Sequence, residues 1–183
     1  MNIIKLQKII LEPSQIKKAL ESIIYTILFN RLFIYVKPET VYCYMFDICY
    51  SKIKDKKIDD KVEKVIFEII ESYESFENLD ISVIFYYTNK KSWLNSKISW
   101  EKWIIPININ KYEKLFKKTN EIKTIIQSVI EYSDSNYLNI PPILKNENPI
   151  DLFDIEISSD KESIGNTALN ILKSLSEFSS FKF

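Results

Sequence analysis

Three apolar stripes at helical spacing, each set between runs of alternating residues, constrain this chain more than any motif it contains. The first runs through Ile16, Leu20, Ile23, Ile24, Ile27 and Leu28, after Ser14 as a candidate cap, to about Leu32. A second, Val62, Val65, Ile66, Ile69, Ile70 and Tyr73, follows Asp59 as its expected cap and ends near Phe76. The third and longest extends from about Tyr112 to Tyr132, with Leu115, Phe116, Ile122, Ile125, Ile126, Val129 and Ile130 over two faces, which marks it as the expected central helix.

Between the stripes lie strand signals. Residues 3 to 11 read as a first strand that stops at Glu12-Pro13, and a short run from Phe33 to Val36 stops at Lys37-Pro38. Val41 to Ile53 alternates as one long strand, with Tyr42, Tyr44, Phe46, Ile48 and Tyr50 on one face and Cys43, Met45, Asp47 and Cys49 on the other. Ile81 to Thr88 and Ser99 to Ile109 predict an elongated antiparallel hairpin around the loop Asn89 to Ile98, with Pro106 calling for an edge or a bulge. Leu152 to Ser158 predicts a last strand, and Leu169, Leu172 and Leu175 after Gly165 a short final helical stripe. The order predicts an α+β fold, about three main helices on an antiparallel sheet with a projecting β-hairpin. No linker divides residues 1–183, so one domain is expected.

Composition removes several chemistries. The 183 residues include no histidine and one glycine. Without an imidazole the chain cannot build a Ser-His-Asp or Cys-His site, or most catalytic zinc sites, and Gly165 alone cannot form a phosphate-cradling loop. Basic and acidic residues number 25 each, and Arg31 is the sole arginine, which disfavours nucleic-acid binding. The lysine-broken N-terminus is not a signal peptide, and the longest uncharged apolar stretch, Ser22 to Asn30, is too short to span a bilayer, so a cytoplasmic protein is expected. Cys43 and Cys49, six apart in an extended strand, would lie about 20 Å from each other at about 3.3 Å per residue and are expected as free thiols.

Few residues invite a role. Asp59 with Asp60 reads as a helix N-terminus. Asp47, inside an apolar strand, reads as an outward polar residue, a structural hydrogen bond or a partner contact. Arg31 reads either as a partner contact or as a cation at a helix C-terminus. Trp93 sits at the hairpin tip, where it either caps the core or projects to a partner or a membrane interface. Trp103 belongs with the core, while Trp100, three residues before it, faces the other way.

Four blocks in these segments resemble the autophagy-related protein 101 family, small HORMA-domain proteins of the autophagy-initiating kinase complex. They are Gln15 to Arg31 with its terminal Asn30-Arg31 pair; Cys43-Tyr44-Met45-Phe46-Asp47-Ile48-Cys49-Tyr50; Phe85-Tyr86 with Lys90-Lys91 and Trp93, then Trp100-Glu101-Lys102-Trp103; and Tyr137-Leu138-Asn139-Ile140-Pro141. The resemblance implies a HORMA-like fold and a non-enzymatic adaptor without cofactor or metal. It also implies pairing with the HORMA domain of autophagy-related protein 13 and recruitment to the phagophore assembly site on induction. Asn30, Arg31, Asp47 and Tyr50 are then the expected partner-binding residues. The finger loop is Trp93, Leu94 and Asn95, against Trp-Pro-Phe in the family; Trp93 carries the finger role over, and Asn95 stands where the second aromatic would be. Two other classes fit the same composition: a small enzyme using Asp47 and Glu101 as acid and base, and an unrelated interaction or immunity-type protein.

Overall fold

The computed structural model describes residues 1–32, 37–75, 77–89, 96–111, 119–141 and 148–159. The expected run Phe33 to Val36, the finger residues Trp93, Leu94 and Asn95, the start of the third helix at Tyr112, and the final stripe with Gly165 lie outside the described residues.

The fold is α+β. Helix α1 (Pro13–Arg31) begins one residue before the expected cap, because Pro13 presets the helical φ at the first position. Glu12 is the cap residue, and its backbone N–H donates to Gln15 Oε1 at 3.1 Å. Ile16, Leu20, Ile23, Ile24 and Ile27 are fully buried, each side chain contributing about 1.5–3 kcal/mol of hydrophobic burial. Two of its hydroxyl residues, Ser22 and Thr26, are buried too. Ser22 donates to the Ala19 carbonyl at 2.8 Å and Thr26 to the Ser22 carbonyl at 2.6 Å, so neither enters the core unsatisfied.

Helix α1 packs against α2 (Lys56–Ser72), α3 (Thr119–Ser135) and a separate hairpin, and it is therefore the central helix in place of the expected third one. The reason lies in those self-satisfied polar side chains, which let a helix of mixed composition be enclosed on several sides. Asp55, not Asp59, caps α2, with its Oδ1 accepting the Lys57 and Ile58 N–H groups at 2.8 and 3.2 Å. Asp59 sits inside the first turn and receives Lys52 Nζ at 3.0 Å.

The alternating segment Val41 to Ile53 is not one strand. It folds at Tyr44–Asp47 into an antiparallel hairpin of β3 (Pro38–Cys43) and β4 (Ile48–Ile53). Asp47 takes the left-handed conformation at φ 51°, a position that glycine usually fills and that aspartate tolerates better than most residues. Phe46 tucks under the turn into the core. The fold back brings Cys43 and Cys49 to neighbouring rungs, since Cys43 pairs with Ile48 and Tyr42 with Cys49. Neighbouring rungs face opposite ways, so Cys43 is buried, Cys49 is exposed and both are free.

The main sheet is mixed. Strands β5 (Asn78–Asn89) and β6 (Ser96–Ile109) form the long hairpin, and β7 (Phe153–Ser159) joins β5 antiparallel. The expected first strand is two strands, β1 (Asn2–Lys5) and β2 (Ile9–Leu11), both parallel to β6. The gap between them explains Pro106. The Ile104 carbonyl accepts the Leu6 N–H at 2.9 Å, so the nitrogen of Pro106, two residues on, faces the same side, opposite the residues between Lys5 and Ile9. The missing donor therefore falls where no ladder bond is made. At Phe85/Tyr86 the β5–β6 register slips, leaving Trp100 as the extra residue of a bulge.

Candidate functional site

The hairpin β3–β4 lies against the C-terminal half of α1 and, with α3, encloses a two-lobed groove. One lobe, of about 200 Å³, is lined by Thr26, Phe29, Asn30, Tyr50, Ile126 and Ile130. The other, of about 310 Å³, is lined by Asp47, Ile48, Lys123, Gln127 and Glu131, and the lobes meet at Cys49, Ile126 and Ile130. Ile130 is 40% exposed, which leaves an apolar floor open to water.

Each expected partner-side residue has a definite place. Asn30 is half-buried at the end of α1, its Nδ2 donating to the Thr26 carbonyl at 2.8 Å, and it faces the first lobe. Tyr50 lies beneath the same lobe, its ring stacked on Tyr25 with 6.3 Å between centroids and an interplanar angle of 9°. Asp47 is exposed at the hairpin turn, where its Oδ1 accepts the Tyr42 hydroxyl. Tyr42 and Tyr44 pack edge to face at 4.6 Å beside it, and Tyr44 is 83% exposed.

Arg31 departs from this group. It is 1% exposed, enclosed between α1, β6 and the end of α3, and so is no surface contact. Its Nε and Nη2 fork onto Glu101 Oε1 and Oε2, each at 2.7 Å, and its Nη1 donates to the Asn136 carbonyl at 3.4 Å. Glu101 Oε1 also accepts Trp103 Nε1 at 2.7 Å. The physical reason is the demand of a buried carboxylate: Glu101, 1% exposed on the inward face of β6, needs a cation, and Arg31 is the guanidinium within reach. The structure thus brings Asn30, Asp47 and Tyr50 to one groove and removes Arg31 from it. Glu101 is likewise spent on Arg31 and Trp103, while Asp47 lies in the outer lobe, so the two carboxylates suggested as acid and base do not share that cavity.

The phenols at and near the groove hold their protons tightly. Burial pushes the Tyr50 hydroxyl well above the ordinary phenol range, reinforced by the Glu21 carboxylate. Burial does the same to Tyr25, with Asp59 next in effect. The hydrogen bond to Asp47 holds the Tyr42 proton above its ordinary value. All three phenols are therefore neutral near pH 7, fit for packing and hydrogen bonding. Among the described residues no cluster of three His, Cys, Asp or Glu side chains could hold a metal ion. No helix among them is long and apolar enough to cross a membrane.

Sequence reasoning overlooked Lys123, Gln127 and Ile130, the α3 side of the groove. Their one signal is that the third stripe covers two faces, more than a helix packed on a single neighbour requires.

A family model described as autophagy-related protein 101 matches residues 8–147. The autophagy-related protein 101 of Arabidopsis thaliana is 26% identical over 111 residues, a match covering 57% of this chain and 52% of the plant protein. The match thus spans about half the length of that curated relative.

Proposed function

Because the chain belongs to the autophagy-related protein 101 family, which carries an autophagy-related role, we propose that it is a non-enzymatic adaptor of the autophagy-initiation kinase complex. In this reading residues 1–183 act as one HORMA-like domain that pairs with the HORMA domain of an autophagy-related protein 13 and stabilises it. The adaptor works in the cytoplasm and moves to the phagophore assembly site on induction.

The observation that carries the proposal is the groove between β4 and α3. It combines an open apolar floor at Ile130, a tyrosine pair beside it, and the polar groups of Asn30, Asp47, Lys123 and Glu131 around its edge. Apolar centres with aromatic anchors and a polar rim are what stable protein interfaces bury, on the order of 1,600 Å² in total. Trp93 and its neighbours would then form a second contact, for later autophagy factors.

Co-expression with the HORMA domain of an autophagy-related protein 13 from the same organism tests this. A stable 1:1 complex that protects the Cys49 thiol from alkylation is expected. A monodisperse monomer that captures no such domain would overturn the pairing.

A further inference from the structure

The buried Arg31–Glu101 pair has no part in the groove, and its surroundings suggest what it does. Asn30, the residue before Arg31, lines the groove, while Arg31 turns inward to β6. The residue before Glu101 is Trp100, the extra residue of the bulge that breaks the β5–β6 register between Phe85 and Tyr86. The guanidinium carbon of Arg31 lies 5.2 Å from the centre of the Trp100 ring, which also packs on Phe85 at 5.8 Å. Just past the slip, the Tyr86 N–H donates to the Leu152 carbonyl at 2.8 Å, one step beyond the Phe85–Phe153 pair in the same register, so β5 stays tied on its β7 side while β6 bulges. One guanidinium therefore touches the bulged ring, both oxygens of the adjoining carboxylate and a carbonyl at the end of α3.

A bulge bends the strand that carries it and sharpens the local twist, so it sets the direction in which the strand continues. Held loosely, such a bend has a range of directions. A bidentate guanidinium–carboxylate fork is planar and fixes orientation as well as distance, which an apolar contact of the same volume does not. We propose that Arg31 and Glu101 are positioning residues that hold the Trp100 bulge and so fix the direction in which the distal hairpin, residues 86–89 and 96–99, leaves the sheet relative to α1 and the groove. The inference rests on the fold alone and stands or falls independently of the identity of any partner.

Its test is a distance. Nitroxide labels on the exposed Cys49 and on Thr88→Cys, in a Cys43→Ala background, report the separation of groove and distal hairpin by pulsed electron resonance. The otherwise wild-type chain should give one narrow distribution. Replacing the pair by Arg31→Met with Glu101→Leu, an exchange that buried ion pairs often tolerate, should leave a cooperative thermal transition but broaden the distribution about twofold. Arg31→Lys, which keeps the charge and loses the fork, should broaden it as well, and it decides the matter if the double variant does not fold. A folded variant with the wild-type distribution would overturn the proposal, and so would a broad distribution in the wild-type chain.

Discussion

Two single residues illustrate how local chemistry overrides local appearance. Arg31 stands at the end of a helix, where a cation ordinarily faces water, yet the Glu101 carboxylate across the core draws it inward. Breaking this pair on one side leaves an uncompensated buried charge, so Glu101→Ala should lower stability by about 3–5 kcal/mol in urea unfolding, while the paired apolar exchange should lose far less. Equal losses in the two variants would refute that account. Asp47 was legible as an anomaly in an apolar run, but its left-handed backbone was not, because aspartate marks the position less plainly than glycine would. Asp47→Ala should cost about 1–2 kcal/mol, because it keeps the Cβ at positive φ but loses the polar side chain that makes this conformation tolerable, along with its Tyr42 hydrogen bond; Asp47→Gly, which removes the Cβ, should recover about half of that. An alanine variant as stable as the glycine variant, measured by thermal melting, would show that the turn carries no such strain.

Among the elements, the three helices were legible because apolar side chains recur every three to four residues whatever the helix packs against. The β3–β4 hairpin was not, since alternation runs unbroken through a turn whose own Phe46 is apolar and buried, and no glycine or proline punctuates it. Nor could periodicity reveal that β1 and β2 run parallel to β6, because pairing partners distant in sequence leave no local trace. The α1–β4 interface carries a pH signature. Tyr25 and Tyr50 hold their protons more tightly when folded, so above about pH 10, where the unfolded chain ionises, the unfolded state binds fewer protons and stability falls as pH rises. Urea midpoints should be flat between about pH 8 and 9 and decline above about pH 10, with a shallower decline in Tyr25→Phe. Identical slopes in variant and wild type would remove Tyr25 from the explanation. At the start of β7 the sign reverses. Burial pushes the Asp154 carboxyl up, but Lys61 and Lys97 together outweigh it and hold the group below its ordinary range. Its contribution is present above that ordinary range and is lost as pH falls below it and through the lowered folded value, modestly for a side chain 42% exposed.

For the molecule as a whole, the family and the α+β order were readable from ordered blocks of residues, whereas the groove arises only when β4, α1 and α3 meet. Asn30 and Tyr50 could be placed near one another from the first helix and the strand after it, but the α3 wall depends on tertiary packing. The sharpest test of the docking face is therefore on that wall. Ile130→Glu, at a position 40% exposed, should change stability by no more than about 0.5 kcal/mol yet weaken capture of the partner HORMA domain at least about tenfold. Unchanged capture by pull-down would move the interface elsewhere. The parallel attachment of β1 and β2 to β6 has a temporal side. During synthesis the residues of β1 and β2 are made long before Glu101 to Ile109, against which they pair, so they wait as an unpaired strand while the helices and the hairpin emerge. Lys5 and Lys8 interrupt that apolar run with charge, which disfavours the addition of an unpaired strand to another chain.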